Sequence, residues 1–444
     1  MKLKLLNCLL ITCFFSVNLI GQSVTFDEVL PANSTGANPW AIASGLLDGD
    51  EFLDIVVGTD ASTVEVFINL SDGTGGVLDG TFAPGVTLTA EAPNDLLYVE
   101  GIAIGDLNGD MINDIVATSY SRNNVVWFEG NGVDGSGDGT FQDAIEISEG
   151  LDGAGAVELA DLDNNGALDI IVSNYGPGVN TDSVVYFLGN VDINGDPDAT
   201  FGVKRFIVDE AAGLGPVEFA VGKFDNADGL DEDIDVVVTF LDNGEVIVYD
   251  NQFQELGLVG GDVPFQAYTT VDTVTGTLFN SVSFADVDDA GGLEILVSNN
   301  QPGAGNPNIA WYSYDDSDGA GNPLITTSWS ETNITTSITR TATATVADFD
   351  LDGDNDLIVT NGRSTNLDII WFESDGTGGF VGGSGTETEY VINDTNPSIF
   401  DLEIQDFDND GDLDLATISY LTDKMSVFLN DRFTLSIDEQ SIEP

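Results

Sequence analysis

An acidic loop of nine residues recurs seven times along this chain, and each copy runs directly into a short strand rich in β-branched residues. The two most regular copies read DFDLDGDND (Asp348 to Asp356) and DFDNDGDLD (Asp406 to Asp414). The ninth position recurs at intervals of 60, 55, 66, 59, 62 and 58 residues, at Asp54, Asp114, Asp169, Asp235, Glu294, Asp356 and Asp414. A period this regular indicates a repeat architecture, in which each copy forms one structural unit.

Each repeat has the pattern of four antiparallel strands, here named A to D. Strand A precedes the acidic loop, as at Leu97 to Gly105 and Ile399 to Gln405, and strand B follows it with patterns such as IVATSY and LIVTNG. Strand C reads VVWFEG, VVYFLG or IIWFES, and strand D begins near Thr140-Phe141, Thr200-Phe201 and Pro264-Phe265. Four-stranded antiparallel sheets repeated radially form a β-propeller, so the sequence predicts an all-β fold of seven blades.

The last repeat has little sequence left for its own strand D. The segment Ser23 to Leu30 reads SVTFDEVL and carries the same TF signal near the other end of the chain. We predict that this segment pairs with strand C of the last blade and closes the ring, because closure removes an exposed sheet edge.

Strand C also carries an aromatic residue at one equivalent position in every repeat: Phe67, Phe128, Phe187, Tyr249, Tyr312, Phe372 and Phe428. A ring of seven aromatic side chains could form a ligand cage. Packing between adjacent blades is the better interpretation, because large aromatic side chains contribute most when they are buried.

The acidic loop has the donor set of a calcium site. Side-chain oxygens at positions 1, 3 and 5 of a tight turn point to one centre, position 7 adds a backbone carbonyl, and position 9 adds a carboxylate able to bind through both oxygens. Ligation by oxygen alone selects a hard and fairly large cation, so calcium fits better than magnesium. Glycine at position 6, as in Gly166, Gly353 and Gly411, permits the positive φ that the curled loop requires.

Four copies carry the complete set of ligands, which predicts about four structural calcium ions. Their side-chain ligands are Asp106, Asn108, Asp110 and Asp114; Asp161, Asp163, Asn165 and Asp169; Asp348, Asp350, Asp352 and Asp356; and Asp406, Asp408, Asp410 and Asp414. The backbone carbonyls come from Ile112, Ala167, Asp354 and Asp412. In the first of these copies Met111 replaces the glycine of position 6.

Three copies depart from the pattern. One keeps Asp48, Asp50 and Asp54 but has Leu46 at position 1, and another keeps Asp286, Asp288 and Glu294 but has Ala290 at position 5. We expect these two sites to be weak or vacant. The copy between them in the fourth repeat, KFDNADGLDEDID at residues 223–235, holds four extra residues, so its register stays open.

The N-terminus has the pattern of a secretory signal peptide, with Lys2 and Lys4 before an apolar stretch from Leu5 to Ile20. A membrane anchor is the alternative, but the stretch is short and interrupted by polar residues. We therefore expect a signal peptide at 1–21, a propeller at 22–432 and a tail or linker at 433–444, with no transmembrane span in the mature chain. Both cysteines, Cys8 and Cys13, fall in the signal segment, so we expect no disulfide and no thiolate site in the mature chain.

Charge restricts the possible partners and chemistry. The chain has 10 basic and 77 acidic residues, hence a net charge of −67, and it has no histidine. Such a surface repels nucleic acid and anionic lipid, and we expect a secreted or cell-surface monomer. Histidine is the commonest general base and the commonest nitrogen ligand of metals, and the chain has none, so we assign no catalytic residue.

The repeat spacing, the acidic loop and the VxWFxN and DGTF signals together resemble FG-GAP and VCBS-type repeats. These are the repeats of integrin α-subunit propellers and of many secreted bacterial proteins, and the resemblance covers Ser23 to Leu429. It implies a seven-bladed propeller with calcium in the loops between strands A and B. The tail FTLSIDEQSIEP resembles the lead-in to the C-terminal sorting domain of type IX secreted proteins in Bacteroidetes, a disordered polar tail being the alternative.

Integrin-like propellers present their ligand sites on the face opposite these loops, which the B-to-C and D-to-A turns form. The candidate ligand-binding residues on this face are Tyr120, Arg122, Tyr175, Asn299, Asn361, Arg363 and Tyr420. A non-catalytic binding or adhesion module for an extracellular glycan or protein is the first hypothesis. The alternative is an enzyme similar to polysaccharide lyases, with Tyr120 or Tyr420 as base and Arg122 or Arg363 at the sugar carboxylate.

Overall fold

A computed structural model shows a ring of seven four-stranded antiparallel sheets, the seven-bladed β-propeller that the repeats predict. The part of the chain that the structure describes contains no helix. The predicted signal peptide and the C-terminal tail lie outside this part, which comprises residues 26–72, 80–88, 90, 95–176, 182–208, 215–224, 233–241, 243–254, 256–258, 263–267, 270–273, 279–299, 308–314, 329–334, 340–362, 369–374, 376, 379–380, 390–393 and 397–430.

Each blade is a meander of strands A to D. In the first three blades these strands are β2 (Pro39–Gly45), β3 (Asp54–Thr59), β4 (Val64–Phe67) and β5 (Val86–Leu88); β6 (Ile102–Gly105), β7 (Asp114–Ser119), β8 (Asn124–Phe128) and β11 (Ile145–Glu149); and β12 (Ala154–Ala160), β13 (Asp169–Asn174), β14 (Ser183–Phe187) and β17 (Arg205–Val208). Strand A of the second blade is thus shorter than predicted, because it begins at Ile102 and not at Leu97.

The remaining blades repeat this order. Their strands are β18 (Pro216–Gly222), β19 (Asp235–Phe240), β20 (Glu245–Asn251) and β21 (Phe265–Ala267), with β22 (Asp272–Thr273) also on β20; β23 (Phe279–Ala285), β24 (Glu294–Asn299), β25 (Ile309–Tyr314) and β26 (Trp329–Ile334); β27 (Thr341–Ala347), β28 (Asp356–Asn361), β29 (Ile369–Phe372) and β30 (Tyr390–Asn393); and β31 (Ile399–Gln405), β32 (Asp414–Ser419), β33 (Lys424–Asn430) and β1 (Phe26–Ser34).

Strand β1 closes the ring as predicted, because it is the fourth strand of the seventh blade. It pairs antiparallel with β33, with Phe26 opposite Asn430 and Ser34 opposite Lys424. Strand A of this blade, β31, contacts strand A of the first blade, β2, and the other A strands contact their neighbours in the same way round the ring. Residues 23–25 of the predicted closing segment lie outside the described residues.

Strand B is buried along its whole length in every blade, because its sheet has a neighbouring blade on each face. Burial on both faces favours the continuous β-branched runs that follow each acidic loop. Apolar side chains form a separate core cluster at each of the seven junctions between adjacent blades. The hydrophobic core is therefore a ring of interfaces.

The aromatic column of strand C packs at these interfaces, as predicted. Each of its seven members belongs to a different cluster, and the most exposed of them, Tyr249, keeps only 9% of its surface accessible. The column therefore spaces the blades and leaves no ring of aromatic side chains for a ligand.

Within the described residues, two blades carry an extra hairpin between strands C and D. These hairpins are β9 (Gly130–Val133) with β10 (Ser136–Phe141), and β15 (Gly189–Val191) with β16 (Pro197–Phe201). The sequences Thr140-Phe141 and Thr200-Phe201 belong to the hairpins, and strand D begins a few residues later. The first hairpin packs over the acidic loop of the preceding blade, where the Gly139 N–H donates to the Leu47 carbonyl at 3.0 Å.

Candidate functional site

The acidic loops join strand A to strand B on one face of the ring. The residue at position 6 of the loop adopts a left-handed backbone conformation. Position 6 has φ of 91° at Gly166, 103° at Gly353 and 99° at Gly411. Met111 takes the same conformation, with φ of 66°, and its side chain is 74% exposed. The second blade thus keeps the loop shape despite lacking the glycine, with a residue that rarely adopts this conformation.

The carboxylate at position 1 holds each complete loop closed. Asp406 accepts hydrogen bonds from the N–H groups of Asp410 and Gly411, at 3.1 and 3.0 Å. Asp161 makes the equivalent pair with Asn165 and Gly166, both at 2.9 Å. These bonds turn the loop back on itself, so the acidic side chains face a common centre.

Carboxylate oxygens come within 4.8 Å of one another in four loops of the described chain. The groups are Asp161, Asp163 and Asp169; Asp286, Asp288 and Glu294; Asp348, Asp350 and Asp352; and Asp406, Asp408 and Asp414. Three of these loops belong to the complete copies, and the fifth blade gathers its three acids despite Ala290. The loop of the second blade is absent from this set, and its position 3 is Asn108, whose amide is uncharged.

The carboxylate at position 9 has a second role that the sequence pattern did not reveal. In the first blade the two oxygens of Asp54 accept hydrogen bonds from the N–H groups of Leu47, at position 2, and Asn69, at the end of strand C, both at 2.8 Å. Asp414 makes the same pair with Phe407 and Asn430 at 2.8 Å. This carboxylate therefore connects the loop to strand C of its own blade.

The same contact assigns the register of the fourth repeat. Asp235 accepts a hydrogen bond from the Phe224 N–H at 3.2 Å, which makes Phe224 the residue at position 2 and Lys223 the residue at position 1. The extra residues of this loop lie at 225–232, outside the described residues. A lysine at position 1 removes the first carboxylate of a cation site from this blade.

Asp412, at position 7 of the seventh blade, offers more than the backbone carbonyl predicted from the sequence. Its side chain is 1% exposed, and neither carboxylate oxygen has a hydrogen-bond partner. Burial, together with the neighbouring acids Asp410, Asp408 and Asp406, raises the pKa of Asp412. Burying an ionised carboxylate without a partner is costly, so a cation beside these side chains would relieve the cost.

The opposite face carries a cluster of aromatic side chains round the mouth of the central channel. The ring of Trp40 lies 4.8 Å from that of Phe400, 5.2 Å from Tyr420 and 5.6 Å from Tyr98. Tyr98 in turn lies 6.2 Å from Tyr120. All five side chains keep part of their surface exposed. We call these five residues the rim cluster.

The predicted ligand-binding residues divide between this mouth and the protein interior. Tyr120 and Tyr420 belong to the rim cluster, and Tyr175 lines the channel beside it. Arg122 is exposed and forms an ion pair with Asp95. Asn299 and Asn361 are buried, at 5% and 2% exposure, and the backbone of Asn299 is bonded to the Thr341 hydroxyl of the next blade. Arg363 lies outside the described residues.

A cavity of about 620 Å³ occupies the channel behind the rim cluster. All seven blades line it through the residue six positions before the acidic loop, which lies in strand A or, in the second blade, just before it: Trp40, Glu100, Gly155, Val217, Asn280, Ala342 and Phe400. A second cavity of about 390 Å³ shares Ser281, Val282 and Thr343 with the first and therefore adjoins it, and we call the two together the lumen.

Five acidic side chains line this lumen, four from A strands and Glu100 from just before one: Glu100, Glu158, Glu218, Asp401 and Glu403. Burial raises the pKa of Glu158 to about 8, and that of Glu100 and Asp401 to about 7. The pKa of Glu218 is raised well above its ordinary value by burial and then by the charges of Asp401, Glu100 and Glu158. This group was not predicted from the sequence, although Glu218 and Asp401 share one position relative to their loops and Glu158 and Glu403 share another.

No helix in the described part of the chain is long and apolar enough to cross a membrane. A family model described as the FG-GAP-like repeat matches residues 47–116, 106–172 and 348–417. Crystal structures of BBS1N in complex with ARL6DN are similar in fold, at 9% and 8% identity with TM-scores of 0.52 and 0.51, covering 93% of this chain and 99% and 97% of theirs. No curated protein sequence matches the chain.

Proposed function

Since the chain carries FG-GAP-like repeats on a seven-bladed propeller, we propose that it is a secreted, calcium-stabilised, non-catalytic module that binds an extracellular glycan or protein. The acidic loops occupy one face and the rim cluster the other. In this proposal the face with the acidic loops stabilises the fold, and the face with the rim cluster binds the ligand.

Calcium would be held by the loops of the second, third, sixth and seventh blades, through the side chains and carbonyls predicted for them. The buried carboxylate of Asp412 supports this assignment in the seventh blade, because it has no donor to offset its charge. Bound calcium supplies positive charge and oxygen coordination there. The loops of the first and fifth blades, which lack one ligand each, would bind more weakly.

The observation that carries the recognition proposal is the rim cluster. Aromatic residues with one apolar side and one accessible edge are enriched at binding surfaces. Here five of them converge at one end of the channel, although they come from A strands, B-to-C turns and a D-to-A turn of three different blades. Such rings can stack on the faces of sugar rings or on peptide side chains.

A glycan array tests recognition directly, in calcium and in EDTA, with folding of each sample verified by circular dichroism. We expect binding by the wild type and its loss in Tyr420→Ala. Met111→Ala, which removes an exposed apolar side chain on the loop face, is the matched control and should bind like the wild type. Equal binding by both variants would mean that the rim cluster is not the recognition site. If no glycan binds, the same two variants are tested against protein ligands.

The lyase alternative gains no support at Tyr120 and Arg122, two of its four candidate residues. Burial, with the charge of Glu100 next in importance, raises the pKa of Tyr120, so less of this side chain is present as the phenolate that a general base requires. The guanidinium group of Arg122 is engaged by Asp95. New ultraviolet absorbance from an unsaturated product, after incubation with uronate polysaccharides, would reverse this preference.

A further inference from the structure

We propose that the lumen of the propeller binds a small linear polyamine, that is, ammonium groups linked by short alkyl spacers. This goes beyond the recognition function proposed above, because the site lies inside the ring and takes a ligand of another chemical class.

The lining of the lumen is acidic. None of the described residues that line the two cavities is a lysine or an arginine. Asp401 accepts backbone hydrogen bonds from Leu402 and Ile42, at 3.0 and 3.4 Å. The side-chain carboxylate of Glu218 makes no hydrogen bond or ion pair to a described residue, although its backbone carbonyl accepts a hydrogen bond from the Thr239 hydroxyl at 3.2 Å. The charged groups nearest to this carboxylate are other acids. Carboxylates enclosed in this way favour a ligand that brings positive charge.

The arrangement of the acids favours an organic cation over a metal ion. Among the described residues, three carboxylates come within 4.8 Å of one another only in the acidic loops, and no group from the lumen does so. A bare metal ion needs several oxygens converging at one point. The acids of the lumen are instead spread along its wall, which suits a ligand whose charges are also spread.

The acids lie at different depths in the lumen, and their positions along the strands give the distance between them. Glu218 and Asp401 stand five residues before position 1 of their loops, and Glu158 and Glu403 stand three residues before it. Two residues of a strand span about 6.6 Å along its axis. Carboxylates therefore occur at two levels of the lumen, separated by a distance that one short alkyl spacer between ammonium groups can cover.

The apolar part of the wall fits such a spacer. Between the acids the cavity is lined by Ile42, Val157 and Phe219, and its mouth by the rings of Trp40 and Phe400. The alkyl carbons of the ligand can pack on Ile42, Val157 and Phe219. An ammonium group near the rings of Trp40 and Phe400 gains cation–π attraction. A cavity of about 620 Å³ lies within the range of small-molecule sites.

The test is a calorimetric titration with spermidine, in saturating calcium and at about 150 mM salt, which screens attraction to the exposed acidic surface. We expect one spermidine per protein. Glu218→Gln combined with Asp401→Asn should weaken binding at least about tenfold, because it removes enclosed partners of the ligand charges. The matched variant, Glu331→Gln combined with Asp138→Asn, removes two exposed charges and should bind as the wild type does.

Equal weakening in both double variants, or a stoichiometry of many spermidines per protein, would show condensation on the surface and overturn the proposal. Displacement of spermidine by an equimolar amount of magnesium would also overturn the proposal, because it would indicate a metal site. The lumen variant should melt no lower than the wild type, since it removes buried charge, and this confirms that lost binding is not lost folding. Failure of the glycan arrays would not change any of these outcomes.

Discussion

The Oδ1 atom of Asp235 accepts a hydrogen bond of 2.9 Å from the backbone N–H of Asn251, the last residue of strand C in the fourth blade. The side-chain amide of Asn251 then donates to the Leu162 carbonyl of the preceding blade, at 2.9 Å. The position-9 carboxylate thus belongs to a chain of hydrogen bonds that joins a loop, strand C of its own blade and the preceding blade. In this blade the contact exists without the first carboxylate of a cation site.

Asp235→Ala should destabilise the protein by about 2–5 kcal/mol, because two buried N–H groups lose their acceptor. The loss should be the same in calcium and in EDTA, since Lys223 occupies position 1 of this loop. Urea unfolding measures it, with the exposed Glu331→Ala as control. A loss confined to calcium-containing buffer would mean that Asp235 acts through an ion.

Calcium should raise the melting temperature strongly. A site with calcium at 100 times its dissociation constant adds about 2.7 kcal/mol, and four sites are expected. Differential scanning calorimetry in calcium, magnesium and EDTA tests this, with a smaller effect of magnesium because it requires a tighter octahedral site. Identical melting curves in calcium and EDTA would contradict structural calcium.

Asp412→Asn should have opposite effects in the two buffers. In EDTA it removes a buried carboxylate without a donor and should stabilise the protein by about 1 kcal/mol. In calcium the lost negative charge should weaken ion binding, so the calcium-induced rise in melting temperature shrinks. Asp354→Asn, at the same position of the sixth blade but partly exposed, is the matched control. The assignment fails if both variants respond to calcium as the wild type does.

Stability in saturating calcium should fall as the pH rises from about 6 to about 9. The folded-state pKa values of Glu100 and Asp401 are about 7 and that of Glu158 is about 8, all raised by burial above the unfolded value. The folded state therefore favours the protonated acids, and their contribution is lost as pH rises through these values. Melting temperatures across this range measure the slope, and Glu158→Gln should reduce it. A rise in melting temperature over the same range would refute the assignment.

Much of the fold could be predicted from the sequence because its determinants repeat within each blade. The period sets the number of blades, and the alternation of apolar residues sets the strands. The aromatic column provides one interface residue per blade, from Phe67 to Phe428. Ring closure by the segment beginning at Ser23 was predictable because the last repeat lacked a fourth strand, and the described part of that strand confirms it.

The sequence by itself determined the period, the blade count and the acidic loops, since each depends on residues close together in the chain. Only the tertiary structure decided what lies on the axis. Glu218 and Asp401 are remote in sequence, and they line one cavity because closing the ring brings all seven A strands to the same axis. The bond between Asp235 and Asn251 likewise depends on strand pairing, which holds the end of strand C beside the start of strand B.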